Sequence, residues 1–211
     1  PVARGTMVAM RREVDPIVRD VETIFDSLKN KIPGLSSTLP ARRNLWGETI
    51  LYTPGELNVF GIESTTVVPP PHVFGIESTT LPSWIQPIYS SKGNYSPVDD
   101  EIINNNMPIS MPKRTMTHRG LSIRLNPKQY ERYILLINKE NRHGTLKEEL
   151  AYVLSTARYR DSETTSETKA DMFIKRINAR KDRAKQILFN TDTDLKQQLN
   201  DHIEAKKRSR G

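Results

Sequence analysis

Four histidines, His72, His118, His143 and His202, are the first residues to test for chemistry, and none stands at HExxH or any other paired ligand spacing. Read singly, they are surface histidines. Asp99-Asp100-Glu101 gathers three carboxylates at the start of an expected helix, where the positive end of the helix dipole accounts for them without catalysis. Thr191-Asp192-Thr193-Asp194 alternates oxygen donors like part of a calcium loop, yet it lacks the glycine and the terminal glutamate such a loop needs. A helix cap is the simpler reading. No GxxxxGKS, GxGxxG or GxSxG occurs. These patterns offer no catalytic set, no metal site and no cofactor site, and the chain reads as a non-enzyme; a pair of groups joined only by the fold is what an enzyme reading would require.

Cationic side chains carry more signal. Residues 175–211 hold eleven Lys and Arg against five acids. Helical spacing puts Arg176, Arg180 and Arg183 on one side of one helix, and Lys206, Lys207 and Arg208 lie in a basic tail. Such groups neutralise phosphates without reading sequence, or meet an acidic protein surface, or simply form a solvated helix face. No aromatic residues are interleaved with them, which argues against single-strand binding by base stacking.

The second constellation is "KIPGLSSTLPARRNLWGE", Lys31 to Glu48, which mixes two prolines, two glycines, a run of hydroxyls and one of the two tryptophans. No regular element tolerates that mixture. Pro33 and Pro40 lower the unfolded-state entropy of the irregular segment. Leu35, Leu39 and Trp46 offer apolar anchors, and Arg42 and Arg43 offer planar donors for carboxylates. The expectation is a docking loop, with Trp46 and Leu39 buried in part against another chain; the alternative is a loop that covers its own helices.

The elements that must position these residues are mostly helical. "DPIVRDVETIFDSLKNKIPG" predicts a helix capped by Asp15 with Pro16 at its first position, striped by Ile17, Val21, Ile24, Phe25 and Leu28 and stopped at Pro33-Gly34. "VARGTMVAMRREV" before it suits a second short helix. Ser96 to Asn106 reads as a short serine-capped helix, and a linker follows that ends in a strand at Leu121–Leu125. Asn126 then caps a helix striped by Tyr130, Tyr133, Ile134 and Ile137. His143-Gly144 breaks it, and Thr145 with Glu148 forms a capping box for the next helix, carried by Leu146, Leu150, Val153 and Leu154. Phe173, Ile177, Ala184 and Leu188 stripe a long final helix, and an acid-capped helix leads into the basic tail.

Composition agrees. The chain has 211 residues, 36% hydrophobic, with 14 prolines and a mean hydropathy of −0.60, thin for one compact core. The predicted fold class is therefore mainly α and elongated, with helices joined by long irregular Pro-rich segments rather than a single compact globule. Four parts are expected: an N-terminal helical segment over 1–31, an irregular docking region over 32–96, a short helix and linker over 97–125, and a C-terminal helical domain over 126–211. Within the irregular region "VFGIESTT" occurs at Val59–Thr66 and again at Val73–Thr80, either a local duplication or an artefact of the sequence. Net charge is +7, cysteine is absent, and no apolar run approaches the roughly 20 residues of a membrane span. The chain starts at Pro1, as expected for a processed product or a piece of a longer protein, and "AKKRSRG" looks like a natural C-terminus.

The order of segments resembles a known family. A "DP.VRD" helix leads into "IPGLSSTLPARRNLWGE", then come a "PVDDEI" helix, a "P.R" linker, "LNPKQYERYILL", "TLKEELAYVLSTARYR" and a long helix rich in Arg, Ala and Ile. This looks like the C-terminal region of the large polyvalent virion proteins of tailed phages, the internal or ejection proteins, over about Asp15 to Leu188. The duplicated "VFGIESTT" departs from that family's pattern. The resemblance implies a protein packed in several copies inside the capsid on the portal. Its implied partners are the portal protein, other ejection proteins and packaged DNA. It would leave with the genome and reach the host cell envelope, where membrane contact of the parent follows. Some members carry a virion RNA polymerase or a murein-degrading domain far upstream. A cysteine-free chain suits passage through the tail channel in a partly unfolded state.

Overall fold

The computed structural model describes residues 15, 17–32, 34–50 and 96–209. The helix expected from "VARGTMVAMRREV", both copies of "VFGIESTT" and His72 lie outside the described residues. The chain is mainly helical: the described residues contain seven α-helices and one two-stranded sheet. It divides into two compact units, residues 1–111 and 112–211, each with its own core. A low apolar content is the consequence of two small cores, each with a high ratio of surface to volume.

In the first unit, helix α1 spans Ile24–Lys29 only, capped by Thr23 in a capping box with Asp26. The longer helix expected from Asp15 does not form, and Asp15 is not its cap. Its carboxylate is taken by Arg19, at 2.9 and 3.1 Å, and by the Ser36 hydroxyl at 2.6 Å. The backbone from Ile17 to Asp20 is extended instead. Val18 N–H donates to Ile50 at 2.8 Å, Arg42 N–H to Val18 at 2.8 Å and Asp20 N–H to Pro40 at 2.9 Å. Long-range pairing thus overrides a local helical pattern containing the β-branched Ile17, Val18 and Val21. Helix α2, Pro97–Asn104, is capped by Ser96 with Asp99 as expected. Val18, Leu39, Leu45, Trp46, Val98, Ile102 and Met107 are among the buried apolar residues of this unit.

The second unit opens with an antiparallel hairpin, β1 Thr115–His118 and β2 Leu121–Arg124, with Thr115 opposite Arg124 and His118 opposite Leu121. Its turn residues Arg119 and Gly120 have φ of 50° and 84°, the paired left-handed geometry of a tight hairpin turn. The sequence pattern showed only the second strand. The hairpin belongs to this unit: His118 stacks on Phe189 with ring centroids 4.5 Å apart, and Tyr130 Oη donates to Pro112 O at 2.8 Å. The helical part accordingly begins at Pro112, ahead of the boundary expected at 126.

Helices α3 (Pro127–Asn138), α4 (Leu146–Ser155), α5 (Ala157–Arg160), α6 (Ser166–Thr191) and α7 (Thr193–Arg208) complete the chain. Asn126 with Gln129 and Thr145 with Glu148 form the capping boxes of α3 and α4. The 26 residues of α6 run about 39 Å at 1.5 Å per residue, and α3, α4 and α7 all pack on it. Phe173, Ile177, Ala184, Leu188 and Phe189 are buried along α6, facing a core that includes Tyr133, Ile134, Ile137, Leu146, Leu150 and Leu195. Asp192 ends α6 and caps α7 by accepting from Leu195 N–H at 3.1 Å, which settles Thr191–Asp194 as a cap. No described helix is long and apolar enough to cross a membrane.

Phe173 is fully buried and lies 5.6 Å, centroid to centroid, from the Tyr159 ring. Phe173→Ala is expected to destabilise the helical unit by about 3–5 kcal/mol, read as a lower urea midpoint of the helical circular dichroism signal.

Candidate functional site

The irregular segment of the first unit is built around short side-chain clamps. Asn44 is fully buried; its Oδ1 accepts from Trp46 N–H at 3.0 Å and Glu48 N–H at 2.9 Å, while its Nδ2 donates to Glu48 Oε2 at 2.8 Å. One side chain therefore closes the Asn44–Glu48 turn, with Gly47 at φ 77°. That geometry directs the Trp46 indole inward, where Nε1 donates to buried Asp99 Oδ1 at 2.8 Å. The other oxygen of Asp99 accepts from Ser96 N–H and Oγ at 2.8 and 2.7 Å. Asp99, read from sequence as a dipole-stabilising group, is thus also the polar anchor of the tryptophan.

This assigns the five expected docking residues to two roles. Leu39 and Trp46 are buried within their own unit, at 7% exposure each, so their burial requires no second chain. The described contacts of Trp46 are with its own chain, because the Asn44 turn and Asp99 hold it there. Arg43 is half-buried and donates to Gly47 O at 2.9 Å and Thr49 Oγ1 at 3.2 Å. Leu35 and Arg42 face solvent. Two residues that sequence reading left out join Leu35: Leu28 and Ile32 are exposed at 55% and 45%, beside Leu35 at 45%. Backbone bonds from Lys31 to Leu28, Ile32 to Lys29 and Leu35 to Ile32 make one continuous run of turns, so these apolar groups recur along it. The 28–32–35 spacing was legible, but Leu28 was assigned to a buried stripe.

On the second unit the expected basic face also divides. Arg180 is 7% exposed and does not belong to a solvent-facing set. Its Nε donates to Glu149 Oε2 at 2.7 Å, Nη1 to Lys139 O at 2.8 Å and Nη2 to Gly144 O at 2.7 Å. The reason is position: α6 carries Arg180 under the α3–α4 connection, where carbonyls past the end of α3 need donors. Gly144 sits at φ 78°, a backbone conformation strained for any other residue, and Glu148 would have to shift to admit a side chain there. Arg176 is half-exposed and reaches Glu149 Oε1 at 3.4 Å. Arg183 is exposed and lines a small groove with Leu136, Lys139 and Ile187. Lys206, Lys207 and Arg208 are exposed on the last turn of α7, Lys207 pairing with Glu204 at 2.8 Å.

His118 and His202 do come near cationic groups. Burial lowers the His118 pKa below its ordinary value, and the charges of Arg119 and Lys185 push the same way. His202 lies on α7 beside Lys206 near the hairpin turn. His143 is exposed and accepts from Arg142 Nε at 2.9 Å. Among the described residues no group of three His, Cys, Asp or Glu is placed to hold a metal ion. A comparison with known families, known proteins and solved structures finds no match.

Two tests follow from these clamps. Breaking a buried ion pair costs about 3–5 kcal/mol; Arg180→Gln, which leaves Glu149 only the half-exposed Arg176 at 3.4 Å, is expected near the low end of that range, whereas Arg183→Gln is expected within about 0.5 kcal/mol of the parent. Urea denaturation compares them. Burial alone would raise the Asp15 carboxyl, but bonds from Arg19 and Ser36 and the Arg19 charge outweigh it and hold the pKa below the ordinary value. The stabilisation is therefore fully present above the unfolded pKa and fades as pH falls below about 4. Asp15→Asn is expected to flatten the acid limb of a stability–pH profile of the first unit, with little change in slope from pH 6 to 8.

Proposed function

We propose that this chain is a structural component of a tailed-phage virion, an internal or ejection-protein segment that docks on the portal inside the capsid and leaves with the genome. The observation that carries this reading is the division of labour within the Lys31–Glu48 block. The residues shared with the family resemblance build a rigid irregular scaffold. That scaffold presents Leu28, Ile32, Leu35 and Arg42 to solvent. Exposed apolar groups on a fixed backbone lose little entropy on binding, the property of a docking platform. Lys29 and Lys31 are exposed on the same run of turns, so the matching surface combines an apolar seat with carboxylates. Leu39 and Trp46 are buried in the same unit and serve docking through its scaffold. The lack of cysteine lets the chain unfold for transit without a crosslink to break.

The test is capture of the protein by assembled portal rings of the parent phage. Leu28→Ser with Leu35→Ser changes only exposed side chains, and stability is expected to move by no more than about 1 kcal/mol for the pair. Portal capture is expected to fall at least about tenfold, equivalent to about 1.4 kcal/mol. Parent protein that does not bind portal rings, or a double variant that binds them equally well, would overturn the reading.

A further inference from the structure

Charge is not shared evenly between the two units. Residues 112–211 carry 23 Lys and Arg against 13 Asp and Glu, a net +10, whereas residues 1–111 carry 9 against 12, a net −3. The basic character of the protein is therefore a property of the helical unit. Within that unit, cations converge on the β1–β2 turn from three elements. Arg119 is exposed in the turn itself. A Cβ at Gly120 would stand 3.7 Å from Lys206 Nζ and 3.8 Å from His202 Nε2, both on α7. Lys185 of α6 is near enough to act on His118 at the end of β1.

Of these positive groups, Lys185 is paired with Asp182 at 3.4 Å, whereas Arg119 and Lys206 lack a local counter-charge. No carboxylate lies within ion-pair distance of Arg119 or Lys206 among the described residues. On α7, Glu204 is engaged by Lys207 and Asp201 accepts from Gln197 Nε2 at 2.8 Å. His202 Nε2 is buried and has no hydrogen-bond partner among the described residues. Like charges gathered without a carboxylate repel one another, and a multivalent anion relieves that repulsion while satisfying the Arg119 fork, which matches phosphate oxygens bidentately.

We infer that the Arg119–Gly120 turn and the adjoining Lys206 side of α7 bind the phosphodiester backbone of double-stranded nucleic acid. A duplex backbone fits better than a single strand because, among the described residues of this unit, the only large exposed aromatic is Tyr152, on α4, so no stacking platform accompanies the charges. It fits better than a single phosphate because exposed cations continue along the unit at Lys113, Lys196 and Arg208, a spread that suits a repeating polyanion. This site is distinct from the Leu28–Leu35 surface of the first unit and stands or falls separately from the portal reading.

The experiment measures binding of the full chain to a labelled mixed-sequence DNA duplex by fluorescence anisotropy, across salt from about 50 to 200 mM. The parent is expected to show log K falling linearly with log salt. Arg119→Gln with Lys206→Gln is expected to bind more weakly, with a slope shallower by about 1.8, since each lost phosphate contact removes about 0.9. Lys206→Gln alone, at an exposed position in the last turn of α7, is expected to give about half that change, so the test survives misfolding of the double variant. Lys175→Gln with Arg183→Gln, two exposed changes on α6, is expected to leave the slope within about 0.5 of the parent. Equal slope changes in both double variants would mean a diffuse positive field and overturn the site. Absence of parent binding would overturn it as well. Displacement of DNA by polyglutamate at equal charge concentration would assign the surface to an acidic protein instead.

Discussion

Arg180 is the interaction on which the helical unit depends. A guanidinium carries five N–H donors in a fixed plane, and here three directions are used at once: the Glu149 carboxylate of α4, the carbonyl of Lys139 past α3, and the carbonyl of Gly144 in the connection. The Gly144 carbonyl accepts from Asn141 N–H at 3.1 Å as well, so Arg180 adds a second donor there and caps Lys139 O at the end of α3. Because all three contacts radiate from one residue of α6, they fix how the α3–α4 pair sits on it. Glu149 also draws Arg176 to 3.4 Å, so a single carboxylate answers two of the three arginines at helical spacing. The apolar stripe supplies the driving force for packing, and Arg180 selects one arrangement of it.

The first unit reaches a comparable result without long helices. Its backbone is held by isolated bridges, Arg19 to Ala41 and Arg43 to Thr49, and by compact polar side chains that replace regular ladders. Asn44 closes its own turn, Asp15 joins Arg19 to Ser36, and Asp99 both caps α2 and holds the Trp46 indole. Each is a short side chain that can bond backbone or neighbours in an irregular conformation, the same property that makes Asn, Asp and Ser poor helix formers. The unit thereby spends its buried polar groups on shape, and the apolar residues Leu45, Val98, Ile102 and Met107 fill the interior that results.

Much of the helical unit was legible in the sequence because its signals are local. Asn126, Thr145 and Asp192 cap where their residue types and spacing say they do, and Phe173, Ile177, Ala184 and Leu188 lie on one buried face. What stayed hidden was non-local. Nothing near Asp15 in the sequence announces that Ser36 will claim its carboxylate, so a cap-and-stripe pattern looked like a helix where the chain is extended. Nothing in the period of α6 separates Arg180 from Arg176 and Arg183, because burial is decided by Glu149 and Gly144 some thirty residues earlier in the chain. The first strand of the hairpin escaped because Thr115–His118 is short and mostly polar, and its pairing rests on a turn whose first residue, Arg119, is not a usual left-handed residue. For the candidate surfaces the same rule applied: residue types were readable, but their division between scaffold and solvent was not.

That division has a physical logic for a basic chain with thin cores. Arginine can satisfy several carbonyls and a carboxylate while its methylene stem packs against apolar neighbours, so it substitutes for apolar volume where little is available. Arg19 donates to Leu39 O as well as to Asp15, Arg43 to Gly47 O, and Arg180 to two carbonyls. These three hold irregular backbone together. Arg42, Arg119 and Arg183 differ from them in position rather than chemistry: all three are exposed. Counting arginines along a helix or a loop therefore overstates the charge available to a partner. The number that matters is what remains after the backbone has taken its share, and in this chain that remainder includes Arg42 in the first unit and Arg119 in the β1–β2 turn, whose neighbour Gly120 lies by Lys206.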